Sequence, residues 1–272
     1  MSTATRTDRA TSGAPWARGV VVVSARELRD VWWGGRGLVL MLAFSVLLSV
    51  TTYLVASNQA LNFLEQRESV SLTLQIAVAV GGLLVLLGSA DSVSGERERG
   101  TLEALLLTPT PRRALVVGKG VASLSLWAGS FLLTVPYVWY LGHGVGVVGV
   151  ALASALLVGS LLSLFLVGLG LLVSALSQSN RLSLSVALFV LLALYAPSQM
   201  PSSAQNGWFG EFLLRVDPFT AGLHVLTDVV VNAHGIGTES GWMIGLAVSA
   251  TLMCGAALLV GGGLRLGTGG HS

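Results

Sequence analysis

Six apolar runs, each long enough to cross a lipid bilayer as a helix, constrain this chain more than any other feature of its sequence. A helical span needs about 20 residues, so the 272 residues leave room for five to seven spans and no separate soluble domain. Only 10% of the residues are charged, against about 25% in a soluble domain. The predicted spans lie near residues 38–56, 71–89, 118–141, 147–173, 182–196 and 242–263.

The basic residues give these spans an orientation. If the N-terminus is cytoplasmic, all but two of the 15 Lys and Arg residues fall in the inner segments, and the exceptions are Arg67 and Arg215. Cytoplasmic loops are enriched in Lys and Arg, so we predict that both termini are cytoplasmic. The inner segments are then residues 1–37, 90–119, 174–181 and 264–272.

The chain before the first span divides into two parts. Residues 1–15 are small and polar, which predicts a disordered cytoplasmic tail, and residues 16–272 are predicted to form a single transmembrane domain. Residues 16–33 predict an amphipathic helix that lies in the membrane interface, although a cytoplasmic extension of the first span is an alternative. Its predicted apolar face comprises Val21, Ala25, Leu28 and Trp32, and its polar face comprises Arg26, Arg29 and Asp30.

The outer segment between the fifth and sixth spans, residues 197–241, is long for a structureless loop in a compact domain. It contains an aromatic and aliphatic stretch before Pro218 and Gly222, which are predicted helix breakers. We therefore expect short helices that dip into the outer leaflet. Such backbone is tolerated where protein or water satisfies its polar groups.

The most charged stretch, residues 91–119, lies between the second and third predicted spans. Its first part, Glu96 to Arg99, is predicted to be a solvated charge cluster, and Gly100 permits a bend. A short helix is predicted to follow, because Thr101 is an acceptable N-cap and Glu103 lies in the first turn, where the helix dipole favours an anion. Leu102, Leu105 and Leu106 form its apolar face, and Thr108-Pro109 ends it.

This stretch resembles the permease subunits of type-2 ATP-binding-cassette (ABC) exporters. In that family the pattern E-x-E-x-G-T-L-E-x-L-L-x-T-P follows the second of six spans and precedes a Gly-Lys pair. The amphipathic N-terminal helix, six spans, inner termini and long outer segment also match. The matching residues are Glu96, Glu98, Gly100, Thr101, Leu102, Glu103, Leu105, Leu106, Thr108, Pro109, Gly118 and Lys119.

The resemblance implies an all-α permease in a prokaryotic plasma membrane, with a coupling helix at residues 100–107 that docks into a separate ATPase. The sequence contains no G-x-x-x-x-G-K-[ST] phosphate loop, so the chain is not expected to be an enzyme. ATP and Mg²⁺ would be bound by the ATPase, and the chain itself needs no cofactor. Two permease copies, as a homodimer, and two ATPase copies would assemble in membrane lipid, with no nucleic acid partner.

Few polar residues lie within the predicted spans. Lys119 is expected to snorkel to the inner surface rather than to contact substrate. The Ser and Thr residues are expected to bond to backbone or neighbouring helices, so the substrate residues stay unknown, and the apolar bundle favours a lipophilic or amphipathic substrate. No metal site is predicted, because the histidines are scattered and Cys254 is the one cysteine. His224, Asp228 and His234 share the outer segment and are the one place where a cluster is conceivable.

Three other classes of protein compete with the exporter. An intramembrane enzyme would need a nucleophile and base within the spans, and a secondary transporter usually carries midplane charges or broken helices. Neither feature is visible in the sequence. A membrane assembly factor or mechanotransmitter that works with an ATPase but moves no solute stays open as an alternative.

Overall fold

The computed structural model describes residues 15–58, 63–101, 111–199, 217–233, 235, 237–238 and 240–262, and these residues contain helices, turns and no strand. Short 3-10 turns at His143–Val145 and Ala196–Gln199 follow the helices that end at Gly142 and Tyr195. The helices are α1 (Pro15–Trp33), α2 (Arg36–Asn58), α3 (Phe63–Glu98), α4 (Arg112–Gly142), α5 (Val148–Leu176), α6 (Asn180–Tyr195), α7 (Pro218–Val230) and α8 (Ser240–Gly262).

Six of the described helices, α2 to α6 and α8, are long and apolar enough to cross a membrane. They coincide with the six predicted spans, which confirms the all-helical class and the span count. The largest difference is in α3, which has 36 residues where the sequence predicts a span at 71–89. At 1.5 Å per residue α3 is about 54 Å long, so it projects well beyond a hydrocarbon core of about 30 Å.

Helices α3 and α5 form the centre of the bundle, and small residues allow the close approach. Gly170 of α5 packs directly against Ser89 of α3, with no room for a Cβ. Gly159 receives the indole ring of Trp127 from α4, and Trp127 Nε1 donates to Ser160 Oγ at 3.1 Å. Gly159 therefore allows α4 to pack closely against α5.

We call the two ends of the bundle the charged end and the opposite end. At the charged end α2 and α6 begin and α3 and α5 end, as the ion pair between Arg36 and Asp91 and the hydrogen bond from Asn180 to Asp91 show. At the opposite end α3 and α4 meet, where Gln66 Nε2 donates to the Leu141 carbonyl at 2.9 Å.

Helix α7 is a short buried helix between α6 and α8. The carboxylate of Asp217 accepts hydrogen bonds from the backbone N–H groups of Phe219 and Thr220 at 3.1 and 3.0 Å, an N-cap that begins the helix at Pro218. Most of its apolar side chains are buried, so the outer segment contains a short helix, as expected. Gly222 is no breaker, because it lies inside α7 and packs against Val158 of α5. Residues 200–216, with most of the aromatic stretch, lie outside the described residues.

Helix α1 forms as predicted, and a third face of it packs against α4. Val23 and Ser24 are buried there, whereas Val21 and Ala25 of the predicted apolar face are exposed. Trp32 of that face donates from Nε1 to Ser125 Oγ of α4 at 3.0 Å. Periodicity within α1 alone does not reveal the contact with α4, because it depends on the small residues and the one cation of α4.

Candidate functional site

The end of α3 is a well-defined turn at the charged end of the bundle. Gly100 has φ of +71°, a conformation that costs a residue with a Cβ about 1–2 kcal/mol. The Gly100 N–H donates to the Arg97 carbonyl at 3.2 Å, and the Thr101 N–H donates to the Glu96 carbonyl at 3.0 Å. This pair of bonds is a Schellman motif. It fixes the direction in which the chain leaves α3 toward residues 102–110.

One turn before that point, three charged side chains meet inside the protein. Lys119 Nζ of α4 lies 2.8 Å from Glu96 Oε1 of α3 and 3.0 Å from Glu27 Oε1 of α1. The Lys119 side chain is 3% exposed, so its charge depends on these two carboxylates for stabilisation. We call Glu27, Glu96 and Lys119 the charged joint, because the three residues tie three different helices together.

Gly118, the residue before Lys119, allows α1 to reach the joint. A Cβ on Gly118 would lie 2.5 Å from Cγ1 and 2.9 Å from Cβ of Val23 on α1, distances that real contacts do not reach. The two residues of the Gly-Lys pair therefore have different roles. Gly118 admits α1 to the surface of α4, and Lys119 binds the carboxylate that α1 brings.

A second polar network lies beside the joint. Asp91 of α3, which is largely buried, pairs with Arg36 Nη1 at the start of α2 at 2.6 Å and accepts from Asn180 Nδ2 at the start of α6 at 2.7 Å. Asn180 also donates its backbone N–H to Glu98 Oε2 at 3.1 Å. The last turns of α3 are thereby connected to the first turns of α2 and α6.

Arg97 connects the same turn of α3 to the end of α5. Its Nη1 donates to the Ser177 carbonyl and its Nη2 donates to the Ala175 carbonyl at 3.3 Å. Carbonyl groups at a helix C-terminus carry partial negative charge and lack intrahelical donors, so a cation is well placed there. Through residues 91–98, α3 is joined by ion pairs or hydrogen bonds to α2, α4, α5 and α6. Lys119 also connects it to α1.

A cavity of about 360 Å³ lies against the joint, between α1, α2, α3 and α4. Its wall includes Lys119, Glu96, Asp91 and Arg36, with cations and carboxylates in similar number. The cavity leaves space next to the joint, so the helices that meet there are not in uniform contact.

Four of the ten predicted coupling residues fall in the described part of the chain. Gly100 forms the predicted bend, Thr101 is exposed next to it, and Glu98 is exposed while bonding to Asn180. Glu96 is not part of a solvated cluster, because it faces Lys119 within the protein. The other six, Leu102, Glu103, Leu105, Leu106, Thr108 and Pro109, lie outside the described residues.

The expectation that Lys119 snorkels to the inner surface is wrong. Its ammonium group turns inward because Glu27 and Glu96 supply two carboxylates there, which replace the water that snorkelling would reach. Sequence reasoning missed Glu27, Asp91 and Asn180 as members of the site. No sequence signal distinguishes Glu27, because its position four residues after Val23 becomes informative only once Val23 is known to be buried.

The remaining polar residues of the spans mostly bond to backbone or to a neighbouring helix, as expected. Ser123 Oγ donates to the Lys119 carbonyl at 3.1 Å, and Gln75 Nε2 donates to Thr227 Oγ1 at 3.1 Å. Of the conceivable cluster in the outer segment, His224 Nδ1 lies 3.3 Å from Asp228 Oδ2, and the His234 side chain lies outside the described part. Among the described residues no group of three or more His, Cys, Asp or Glu is arranged to hold a metal ion.

Comparison with known proteins agrees with this architecture. The family described as ABC-2 family transporter protein matches residues 21–215, which include most of α1 and all of α2 to α6. A search of curated proteins found no match to the chain. The family is one of permease subunits of ABC transporters, which are membrane subunits that partner an ABC ATPase. With six helices that can span a membrane, the chain is a multi-pass membrane protein and belongs to the ABC-2 transporter family.

Proposed function

We propose that this chain is the permease subunit of an ATP-driven exporter and that the movement of its ATPase enters the bundle through the charged joint. The observation that carries the proposal is the turn at Gly100. It joins Glu96 of the joint, within five residues of chain, to the segment 102–110 that carries the proposed coupling helix. A displacement of that segment acts first on the last turn of α3.

The contacts of α3 suggest how such a displacement spreads. Because α3 is continuous from Phe63 to Glu98, a push on its end moves a rigid rod rather than a loop. Lys119 passes the movement to α4 and α1, whereas Asp91 and Asn180 pass it to α2 and α6. The whole charged end would then move as the ATPase closes on ATP, and the path for substrate would open alternately to the two sides.

The orientation and the assembly belong to the same proposal. The arginine-rich segments before α2 and between α3 and α4, together with Arg181 near the start of α6, favour a cytoplasmic charged end and cytoplasmic termini, in a prokaryotic plasma membrane. A homodimer of the chain with two ATPase copies, which bind the ATP and Mg²⁺, would form the working exporter. Leu102, Glu103, Leu105, Leu106, Thr108 and Pro109 would provide the docking surface.

The proposal is tested with candidate ATPases encoded near this chain. The full-length permease and each ATPase would be co-expressed, purified together and assayed for ATP turnover, with Glu103→Ala and Leu106→Ala as test variants. We expect co-purification of one ATPase and an altered turnover in both variants. Arg26→Gln is the matched control, because Arg26 is exposed on α1 and pairs only loosely with Asp30 at 3.9 Å, an interaction of little worth.

Two results would count against the proposal. If no ATPase co-purifies, the partnership is wrong for this chain. If an ATPase binds but its turnover is the same in the wild type, in both test variants and in Arg26→Gln, the coupling segment is wrongly assigned. A complex that turns over ATP normally but moves no solute would favour the assembly factor or mechanotransmitter instead.

A further inference from the structure

The cavity beside the charged joint adjoins an apolar groove of about 600 Å³. The groove is formed by α2, α3 and α6, and its apolar wall includes Val39, Leu87 and Leu184. The cavity and the groove share part of their walls, including Arg36 and Gly88. A single molecule that occupies both spaces therefore needs a polar part for the cavity and an apolar part for the groove.

The two spaces lie at different depths in the membrane. Arg36 is the first residue of the span α2 and pairs with Asp91 of α3, so the cavity lies at the level of the lipid head groups. Val39 and Leu87 follow about one turn further into the same two spans, which is about 5 Å toward the centre of the bilayer. Val39 is 68% exposed, so the groove is open to lipid tails. This arrangement matches a membrane lipid with its head group in the cavity and an acyl chain in the groove.

The charges on the cavity wall are balanced, with four cations and four carboxylates. Arg36 pairs with Asp91, and Arg26 pairs loosely with Asp30. The charged joint holds one cation against two carboxylates, so it has one negative charge in excess. Arg99 has no ion pair among the described residues, which leaves one positive charge in excess. One spare charge of each sign is complementary to a zwitterionic head group rather than to an anionic one.

Accessible donors and acceptors are present in the same cavity. Arg99 is exposed, and no hydrogen bond commits its guanidinium group within the described part of the chain. Arg36 bonds to its carboxylate partner through Nη1 alone, and its side chain is 63% exposed. The Asp30 carboxylate is 66% exposed, and its one partner, Arg26, lies 3.9 Å away. The two arginines can therefore donate to a phosphate, and Asp30 can accept from an ammonium group.

We propose that the cavity and the groove together bind one phosphatidylethanolamine molecule, whose head group combines a phosphate with a primary ammonium group. Arg36 and Arg99 donate charge-assisted hydrogen bonds to the phosphate. The ammonium group donates to Asp30 and lies toward the excess negative charge of the joint. One acyl chain lies along Val39 and Leu184 in the leaflet at the charged end. The site does not rest on the proposed function, because it requires neither an ATPase nor a transported solute.

The test compares two lipid probes that differ only in methylation of the amine. The full-length chain is reconstituted in phosphatidylcholine nanodiscs with a trace of photoreactive phosphatidylethanolamine or photoreactive phosphatidylcholine, both labelled on the acyl chain. After illumination, the cross-linked peptides are identified. We expect the ethanolamine probe to label the peptides around Val39 and Leu184 about tenfold more strongly. The physical reason is that a trimethylammonium group has no N–H to donate, and a hydrogen bond between charged groups is among the stronger ones.

Two variants separate the contributions of the ammonium group and the phosphate. Asp30→Asn should lower labelling by the ethanolamine probe about fivefold and leave the choline probe unchanged, because only the primary ammonium group donates to Asp30. Arg99→Gln should lower labelling by both probes about threefold, because both carry the phosphate. Arg29→Gln is the matched control, since Arg29 is an exposed arginine beside Asp30 on α1 that does not line the cavity.

Four outcomes would overturn the site. Equal labelling of the wild type by the two probes would show that the amine is not recognised. Labelling that Asp30→Asn and Arg99→Gln leave unchanged, as in Arg29→Gln, would place the lipid elsewhere at the interface. Stronger labelling by a photoreactive phosphatidylglycerol would show that the arginines select a net negative head group.

The fourth outcome concerns the source of the head group. If O-phosphoethanolamine, at the concentration of the lipid probe, abolishes the labelling, the ligand is the free head group and not the lipid. None of the four outcomes bears on ATP coupling, which the turnover assay tests separately.

Discussion

Lys119 Nζ lies 2.8 Å from Glu96 Oε1 in the interior of the charged end, where the lysine side chain is 3% exposed. The two residues are separated by the segment 102–110, which carries the proposed coupling helix. The ion pair therefore closes the base of that segment and connects its two ends. Glu27 adds a third charge from α1 at 3.0 Å, so the base of the segment is also connected to the interfacial helix.

Replacing Lys119 with Met should destabilise the protein by about 3 kcal/mol, because Glu27 and Glu96 would be left as unpaired, largely buried carboxylates. The measurement is thermal unfolding of the purified chain in detergent, followed by tryptophan fluorescence. The triple variant Glu27→Gln, Glu96→Gln, Lys119→Met should recover part of the loss, since it removes all three charges. If Lys119→Met unfolds like the wild type, the ion pairs contribute nothing to the joint.

Replacing Gly100 with Ala should cost about 1 kcal/mol, because the left-handed conformation at φ +71° is unfavourable for a residue with a Cβ. The free space around Gly100 means that this cost comes from the backbone and not from a clash. Gly100→Asn should cost less, since Asn tolerates this conformation better. Unfolding in detergent again provides the measurement.

The matched control for that variant is Gly245→Ala on α8, where a Cβ also meets nothing within 4 Å. Gly245 lies in a regular helix, so alanine should be neutral or slightly stabilising there. Equal effects of Gly100→Ala and Gly245→Ala would contradict the account of the turn.

Replacing Gly118 with Ala should push α1 away from α4 and cost about 1–3 kcal/mol, the usual penalty for overpacking. The expected clash is between the new Cβ and the side chain of Val23. The second-site change Val23→Ala should therefore restore much of the lost stability. Thermal unfolding of the single and double variants would test this, and a double variant no better than Gly118→Ala would locate the close contact elsewhere.

The span count and the charged segment could be predicted from the sequence because both depend on local composition. Twenty apolar residues in a row have few alternatives to a membrane helix. Gly100 followed by Thr101 indicates a helix boundary whatever the tertiary contacts of the helix are. The extension of α3 to Glu98 is harder to predict, since its last turns are polar and are held by partners on α2, α4, α5 and α6.

The partners of the site could not be predicted because they depend on which helices become neighbours. Hydropathy places Lys119 near the end of a span but does not show that Glu27 lies opposite it, and without that carboxylate snorkelling is the better expectation. The face of α1 that packs against α4 could not be predicted either, because it depends on the close approach of Val23 to Gly118. Asn180 is polar and lies at the start of a span, so only its tertiary contact with Asp91 distinguishes it from an ordinary loop residue.

The most direct test of the central claim is site-specific cross-linking between this chain and its ATPase. Glu103→Cys and, as a control at the opposite end, Trp139→Cys would each be made in a Cys254→Ala background, and Trp139 is suitable because it is 60% exposed. A bifunctional thiol reagent added to the co-purified complex should join Glu103→Cys to the ATPase and leave Trp139→Cys unjoined. No cross-link from position 103, or an equal yield from position 139, would contradict the claim that the ATPase acts on the bundle through the segment between Glu96 and Lys119.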